Sequence, residues 1–248
     1  MCKKNIKDLL EKNRESLLKY FDENKKFSDE NIFIRNNKEI LNAFLNYRTE
    51  LFDLKDQMSS IAEGYITSSR EMISLCLMDN SDSKADALIF PIMFNLVHAT
   101  ELWLKSLDIS VRELNNFNLT GNAAAMNVQG NHDILQLYNT LSKELDTASM
   151  KNEFPKLNET IKLVSSSKGF ITDISKKITD VTAFRYPSLK KINKNYKDNY
   201  RNQFFNTGDL KNNTIDLEKL HVLSIWLEYV ISESQYFFMA CHEQYHSE

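Results

Sequence analysis

The groups in this chain best placed to do chemistry are His98, Glu101 and Lys105. They lie in Pro91-Ile92-Met93-Phe94-Asn95-Leu96-Val97-His98-Ala99-Thr100-Glu101-Leu102-Trp103-Leu104-Lys105. At about 100° per residue on a helix, the three fall within an arc of about 60°, with Asn95 a little outside it. Phe94 and Leu102 project into the same sector, so this is not an ordinary solvated face. A helix that is apolar nearly all round is a buried one, and ionisable groups on it must be paired, hydrogen-bonded or in use. Glu101 precedes Lys105 by four residues, the better order for an ion pair. Two readings follow: a pairing that fixes helix register, or a carboxylate, an imidazole and an ammonium held for acid–base or anion chemistry. The apolar surround predicts that all three are largely buried and joined to His132 or Arg185.

Those two residues come from separate motifs. Asn131-His132-Asp133-Ile134-Leu135 reads as a loop-to-helix junction. Helix capping accounts for Asp133 and leaves His132 unexplained. Phe184-Arg185-Tyr186-Pro187 sets an arginine between two aromatics, before a proline that ends or kinks a helix. Arg185 and Tyr186 suit either packing at a core edge or, through the guanidinium, a phosphate. Downstream, Lys190, Lys191, Lys194, Lys197 and Arg201 are interleaved with Tyr196, Tyr200, Phe204 and Phe205. Cations to track phosphates and aromatics to stack on bases are what single-stranded RNA binding needs; the competing reading is a solvated lysine-rich loop.

Metal chemistry finds little support. His242 and His246 are four apart beside Cys241, a chelating spacing, but they lie at the fraying end of the chain. His98-x-x-Glu101 reverses the Glu-x-x-His order of a di-iron bundle and has no second copy. There is no glycine-rich phosphate loop and no nucleophile elbow. No metal and no cofactor is expected.

The elements that must position these groups are helices. The chain has 248 residues, only five glycines and three prolines, and long segments of helical periodicity without strand-like alternation, which makes it all-α. Ile6, Leu9, Leu10, Leu17, Leu18 and Phe21 form a first amphipathic stripe. A second pattern runs from Ile40 to Leu75, with Gly64 as a break or a point of close packing. Ser83 and Asp86 have capping-box spacing, and the landmark helix either starts near Pro91 or is kinked there. The polar stretch Asn115 to Asn131 is a loop. A short helix from Ile134 to Leu141 is capped by Asn131 or Asp133, another carries Leu157 to Val164, and Gly169 separates it from Ile171 and Ile174. Thr214, four before Glu218, opens a last helix whose core face is Leu217, Leu220, Leu223, Trp226, Leu227, Val230 and Ile231.

A net charge of −3 gives no global attraction to nucleic acid, so any basic contact surface is local. Cys2, Cys76 and Cys241 have no paired spacing, which suggests a reducing compartment. The opening residues lack a signal-peptide pattern, and the run Ala87 to Leu104 is interrupted by Asn95, His98 and Glu101, a poor membrane span. A cytoplasmic protein that does not contact membrane is expected.

Taken in order, Ala99-Thr100-Glu101-Leu102-Trp103-Leu104-Lys105-Ser106-Leu107, Asn131-His132-Asp133-Ile134-Leu135, Phe184-Arg185-Tyr186-Pro187 and a long final helix resemble the HEPN superfamily. That family's patterns are a helix of A-x-E-x-x-L-K-x-L type, a G-H-D-L helix start and an R-Y-P segment. The resemblance covers roughly Leu51 to Phe238. It implies an antiparallel helical bundle over 51–248 and frequent homodimerisation; residues 1–50, which it leaves unexplained, read from their apolar stripe as an N-terminal helical extension. It also implies a role in RNA processing, toxin–antitoxin pairs or antiviral defence, where a protein partner is encoded nearby. Active members are metal-independent ribonucleases using an Arg followed four to six residues later by a His. Arg185 matches the Arg, but Leu189, Lys190 and Lys191 stand where the His belongs. The resemblance therefore implies an RNA- or nucleotide-binding effector module. Its alternatives are a ribonuclease using Arg185 with His132 or His98, and a partner-binding accessory subunit.

Overall fold

The computed structural model describes residues 43, 53–115, 130–147, 154, 156–177 and 214–246. Contacts divide the chain into Met1–Phe44 and Leu45–Glu248, and every element below belongs to the second unit. The described residues form an all-α bundle of α1 (Leu54–Met78), α2 (Lys84–Asn115), α3 (Ile134–Thr147), α4 (Leu157–Ser166), α5 (Lys168–Lys177) and α6 (Leu217–His246). The first amphipathic stripe and the Phe184–Pro187 motif lie outside the described residues.

Helix α2 is the hub. Trp103, Leu104, Leu107, Leu96 and Val97 on it are fully buried, each such side chain contributing about 1.5–3 kcal/mol. By length and composition α2 also passes for a membrane span, with a mean hydropathy of 1.4 over its most apolar window, despite the polar residues that interrupt it. Its packing is that of a core helix. The short link Asp79–Ser83 folds α1 back along α2. Ser69 Oγ donates to the Ile92 carbonyl at 3.1 Å near one end of the hairpin, and Ser106 Oγ donates to the Lys55 carbonyl at 2.8 Å near the other. Helix α6 runs antiparallel to α1 and alongside α2: Glu228 meets Arg70 midway along α1, and His242 approaches Glu113 near the end of α2. Helix α3 runs in the same sense as α2, since His132 before it meets Glu101 while Glu144 near its end meets Arg112.

Several boundaries differ from those read in the sequence. Helix α2 starts at Lys84 and continues through Pro91, so it does not begin at the proline. Its first turn is capped by Asn80, whose side-chain oxygen accepts the Ala85 N–H at 2.8 Å. Ser83 has φ 52, which removes it from the extended conformation that a capping-box serine adopts. Gly64 neither breaks α1 nor permits a close approach: it is exposed in mid-helix, and an added Cβ meets nothing within 4 Å. The α4–α5 break falls at Ser167 rather than Gly169, which sits in the first turn of α5. Ser167 is buried and turns its hydroxyl onto the Val164 carbonyl at 2.7 Å. Helix α6 is capped by Asp216, not Thr214; the Asp216 carboxylate accepts the Lys219 N–H at 3.1 Å.

One core assignment on α6 also changes. Leu220, Leu227, Val230 and Ile231 are buried as expected, but Trp226 is 43% exposed. It lies with Val222, Ile225 and Tyr229 around a shallow concavity of about 400 Å³. The helix is apolar on two sides, so periodicity alone assigns Trp226 to the wrong one.

Candidate functional site

Glu101 is the centre of the site. It is 3% exposed, on the turn of α2 that also carries buried Thr100 and Trp103. Its Oε1 accepts Lys105 Nζ at 2.7 Å, one turn further along the helix and equally buried. The same oxygen lies 2.9 Å from His132 Nδ1. Its Oε2 faces His98 Nδ1 at 3.8 Å, an ion-pair distance rather than a hydrogen bond. Burial pushes the Glu101 carboxyl up, but His98, Lys105 and His132 together outweigh it and hold the group at about 2. Glu101 is therefore ionised at neutral pH. An ionised carboxylate only accepts, so Nδ1 of His132 carries the proton in this contact.

The loop before α3 delivers His132. Asn131 Oδ1 accepts the Asp133 N–H at 3.0 Å, and Asp133 Oδ1 accepts the N–H groups of Leu135 and Gln136 at 2.9 and 3.1 Å. Asp133 is thus the cap and Asn131 builds the turn leading to it. Between them, the His132 side chain is fixed through Nδ1 yet remains 74% exposed. The buried carboxylate orients the ring, and Nε2 faces outward. A neutral ring so held presents an acceptor or base at Nε2, and a protonated ring presents a donor.

His98 is less buried than its apolar setting predicts, at 30% side-chain exposure. Its ring stacks on Phe94 one turn earlier, with centroids 5.6 Å apart and planes at 19°. Tyr65 of α1 meets it edge-on at 4.8 Å. Asn95 reaches across to α1, where its Nδ2 donates to Ser68 Oγ at 3.4 Å. The structure thus brings together His98, Glu101, Lys105 and His132, while Asn95 turns to Ser68 of α1. Arg185, Tyr186, Lys190, Lys191, Lys194, Tyr196, Lys197, Tyr200 and Arg201 lie outside the described residues.

Two groups escape a reading of the sequence. Tyr65 meets His98 from another helix and has the pattern of a core residue, whereas Phe94 already shares the helical sector of His98. A second buried carboxylate, Glu113, accepts Lys55 Nζ at 2.7 Å and has His242 Nε2 at 3.7 Å. Burial opposes the charge on Lys55, but Glu113 outweighs it and raises that ammonium. Of the residues with chelating spacing on α6, His242 turns toward Glu113 and Cys241 is buried with its thiol pushed up to about 11; the His246 side chain lies outside the described residues. No signal in the sequence links Lys55 to Glu113, because 58 residues separate them.

No family model, curated protein or solved structure matches the chain.

Proposed function

We propose that this protein is a HEPN-like module that binds RNA or a nucleotide, acting as an effector in a prokaryotic defence or toxin–antitoxin system. The observation that carries this reading is the contact between Glu101 and His132. Two of the motifs behind the resemblance, 31 residues apart at these positions, meet at 2.9 Å. The result is a buried anion whose purpose in a helix core is otherwise costly, beneath an imidazole aimed at solvent. His132 is suited to one phosphate. Arg185 and the lysines at 190, 191, 194 and 197 supply the remaining charge, with a homodimer as the assembly.

A ribonuclease is the second reading, and the oriented imidazole favours it. Metal-independent cleavage needs a base to take the proton from a ribose 2′-hydroxyl. That oxygen then attacks the adjacent phosphorus, and the departing 5′-oxygen takes a proton from an acid, leaving a 2′,3′-cyclic phosphate. His132 and His98 share one carboxylate and fill the roles of base and acid, while Arg185 steadies the phosphate.

The experiment is binding and cleavage of short single-stranded RNAs by the full chain, in chelator, at several salt concentrations. Salt-dependent binding without cleavage supports the binding module. Cleavage that is lost in both His132→Ala and Arg185→Ala supports the enzyme. Neither binding nor cleavage across a varied RNA panel overturns both and leaves a partner-binding subunit.

A further inference from the structure

Among the described residues, six large apolar side chains stand exposed along one side of α6: Val222, Ile225, Trp226, Tyr229, Tyr236 and Met239, each 43–75% exposed. Ser232, Glu233 and Ala240 are exposed between and beside them, which completes a stripe with spacings of three and four. That is the 3.5-residue period of a helix-to-helix seam, kept for about two and a half heptads. The opposite side, with Leu220, Leu227, Val230 and Ile231, is buried in the chain's own core. The stripe is therefore a second apolar face of the same helix.

The concavity of about 400 Å³ on this stripe is lined by Val222, Ile225, Trp226 and Tyr229. Their spacing, i, i+3, i+4 and i+7, is that of the four residues that make a hole for one knob of a facing helix. Trp226 and Tyr229 stand together in its wall, with ring centroids 5.5 Å apart. The same stripe carries a fitting knob. Met239 is exposed and unbranched, and lies about four turns, or about 20 Å, beyond the centre of the hole. Midway between them is Ser232, which is small. A two-fold axis at Ser232 brings Met239 of each copy onto the hole of the other. It also sets Trp226 of one copy beside the small Ala240 of the other. A parallel pair sets hole against hole and fills neither.

We infer that the exposed face of α6 is the interface between two copies of this chain, packed antiparallel about a two-fold axis at Ser232, with Met239 of each copy in the Val222–Ile225–Trp226–Tyr229 hole of the other. The inference gives the homodimer of the reading above its surface and polarity, rests on that reading only for the existence of a homodimer, and is independent of RNA binding. A two-fold interface must be self-complementary, and this stripe holds both the hole and its knob. The six side chains expose about 600 Å² on each copy, so two copies bury about 1,200 Å² even before Ser232, Glu233 and Ala240 are counted. That reaches the range of a specific, stable interface. One feature opposes the pairing: Glu233 of the two copies meet beside the axis. Both carboxylates lie at the solvated rim, where water and salt screen them.

The test combines light scattering of the full chain with cross-linking by a short bismaleimide. Wild type should have twice the 29.0 kDa mass of one chain at micromolar concentration. Met239→Glu puts a carboxylate into each apolar hole and should weaken association more than about 100-fold, leaving a monomer; melting curves establish that it is folded. Cross-linking uses a Cys2→Ser background, in which Cys76 and Cys241 are buried. Ser232→Cys, on the axis, should link copy to copy. Val222→Cys should not, because the two positions lie about 30 Å apart in the antiparallel pair. Linking of both variants means a parallel pair and overturns the inference. A Met239→Glu dimer, or a wild-type dimer that Ser232→Cys does not link, overturns it while leaving a homodimer through another face. A monomeric wild type overturns the inference and the homodimer together, and leaves the RNA reading to its own test.

Discussion

Removing Glu101 and Lys105 separately and together gives a thermodynamic cycle whose outcome follows from the geometry. Both are 3% exposed and joined at 2.7 Å. Glu101→Leu leaves the Lys105 ammonium buried without its carboxylate. Lys105→Met leaves the carboxylate to the two histidines. Breaking a buried pair from one side costs about 3–5 kcal/mol, mostly from the uncompensated charge, whereas replacing both partners by apolar groups of similar volume is often neutral or stabilising. Lys105→Met should sit at the lower end of that range, because His132 at 2.9 Å still compensates Glu101. The double variant should lie within about 1–2 kcal/mol of wild type, giving a coupling of several kcal/mol. Urea unfolding followed by circular dichroism measures each corner, with constant slopes showing that the transitions are comparable. Additive losses would refute the claim that the pair is a desolvated unit. The double variant also separates roles: the fold survives, while His132 loses the anchor that orients it.

The acid dependence of stability follows from the same group. Glu101 is lowered from 4.5 to about 2 in the folded chain, so its contribution, about 3 kcal/mol, is full above the ordinary carboxylate range and is lost as pH falls from about 4.5 through 2. The stability gap between wild type and Glu101→Gln should therefore narrow over that window in urea melts; a gap independent of pH would contradict the depressed carboxyl. Gly64→Ala should stabilise by about 0.5–1 kcal/mol, since Gly64 is an exposed helical position with open space around its Cβ. A destabilised Gly64→Ala in the same melts would point to a contact that the helix geometry does not contain.

What the sequence made legible was set by the range of the forces involved. Helical periodicity is local, and it revealed all six described helices. The stripe on α2 was legible because an acid and a lysine four apart on an apolar face can escape the cost of burial by pairing, and Glu101 pairs with Lys105 accordingly. The meeting of Glu101 with His132 was one of two partners anticipated, and it depends on the course of α3 beside α2. Caps were less legible: Asn80, Asp133 and Asp216 each had a polar competitor within three residues, and backbone conformation decides between them. The φ of Ser83 is one such decision. Trp226 was misread because α6 carries apolar residues on both faces, so period alone leaves its orientation open. The Lys55–Glu113–His242 cluster joins three helices and has no local trace.

The most direct test of the account is whether the exposed nitrogen of His132 meets RNA. Nitrogen-15 correlation spectra of the imidazoles, recorded while a short single-stranded RNA is added, report on each of the five histidines. With His132→Ala used to assign its signal, the prediction is a saturable shift of His132 Nε2, a smaller response at His98, and none at His221. RNA binding that leaves the His132 resonances in place would contradict it.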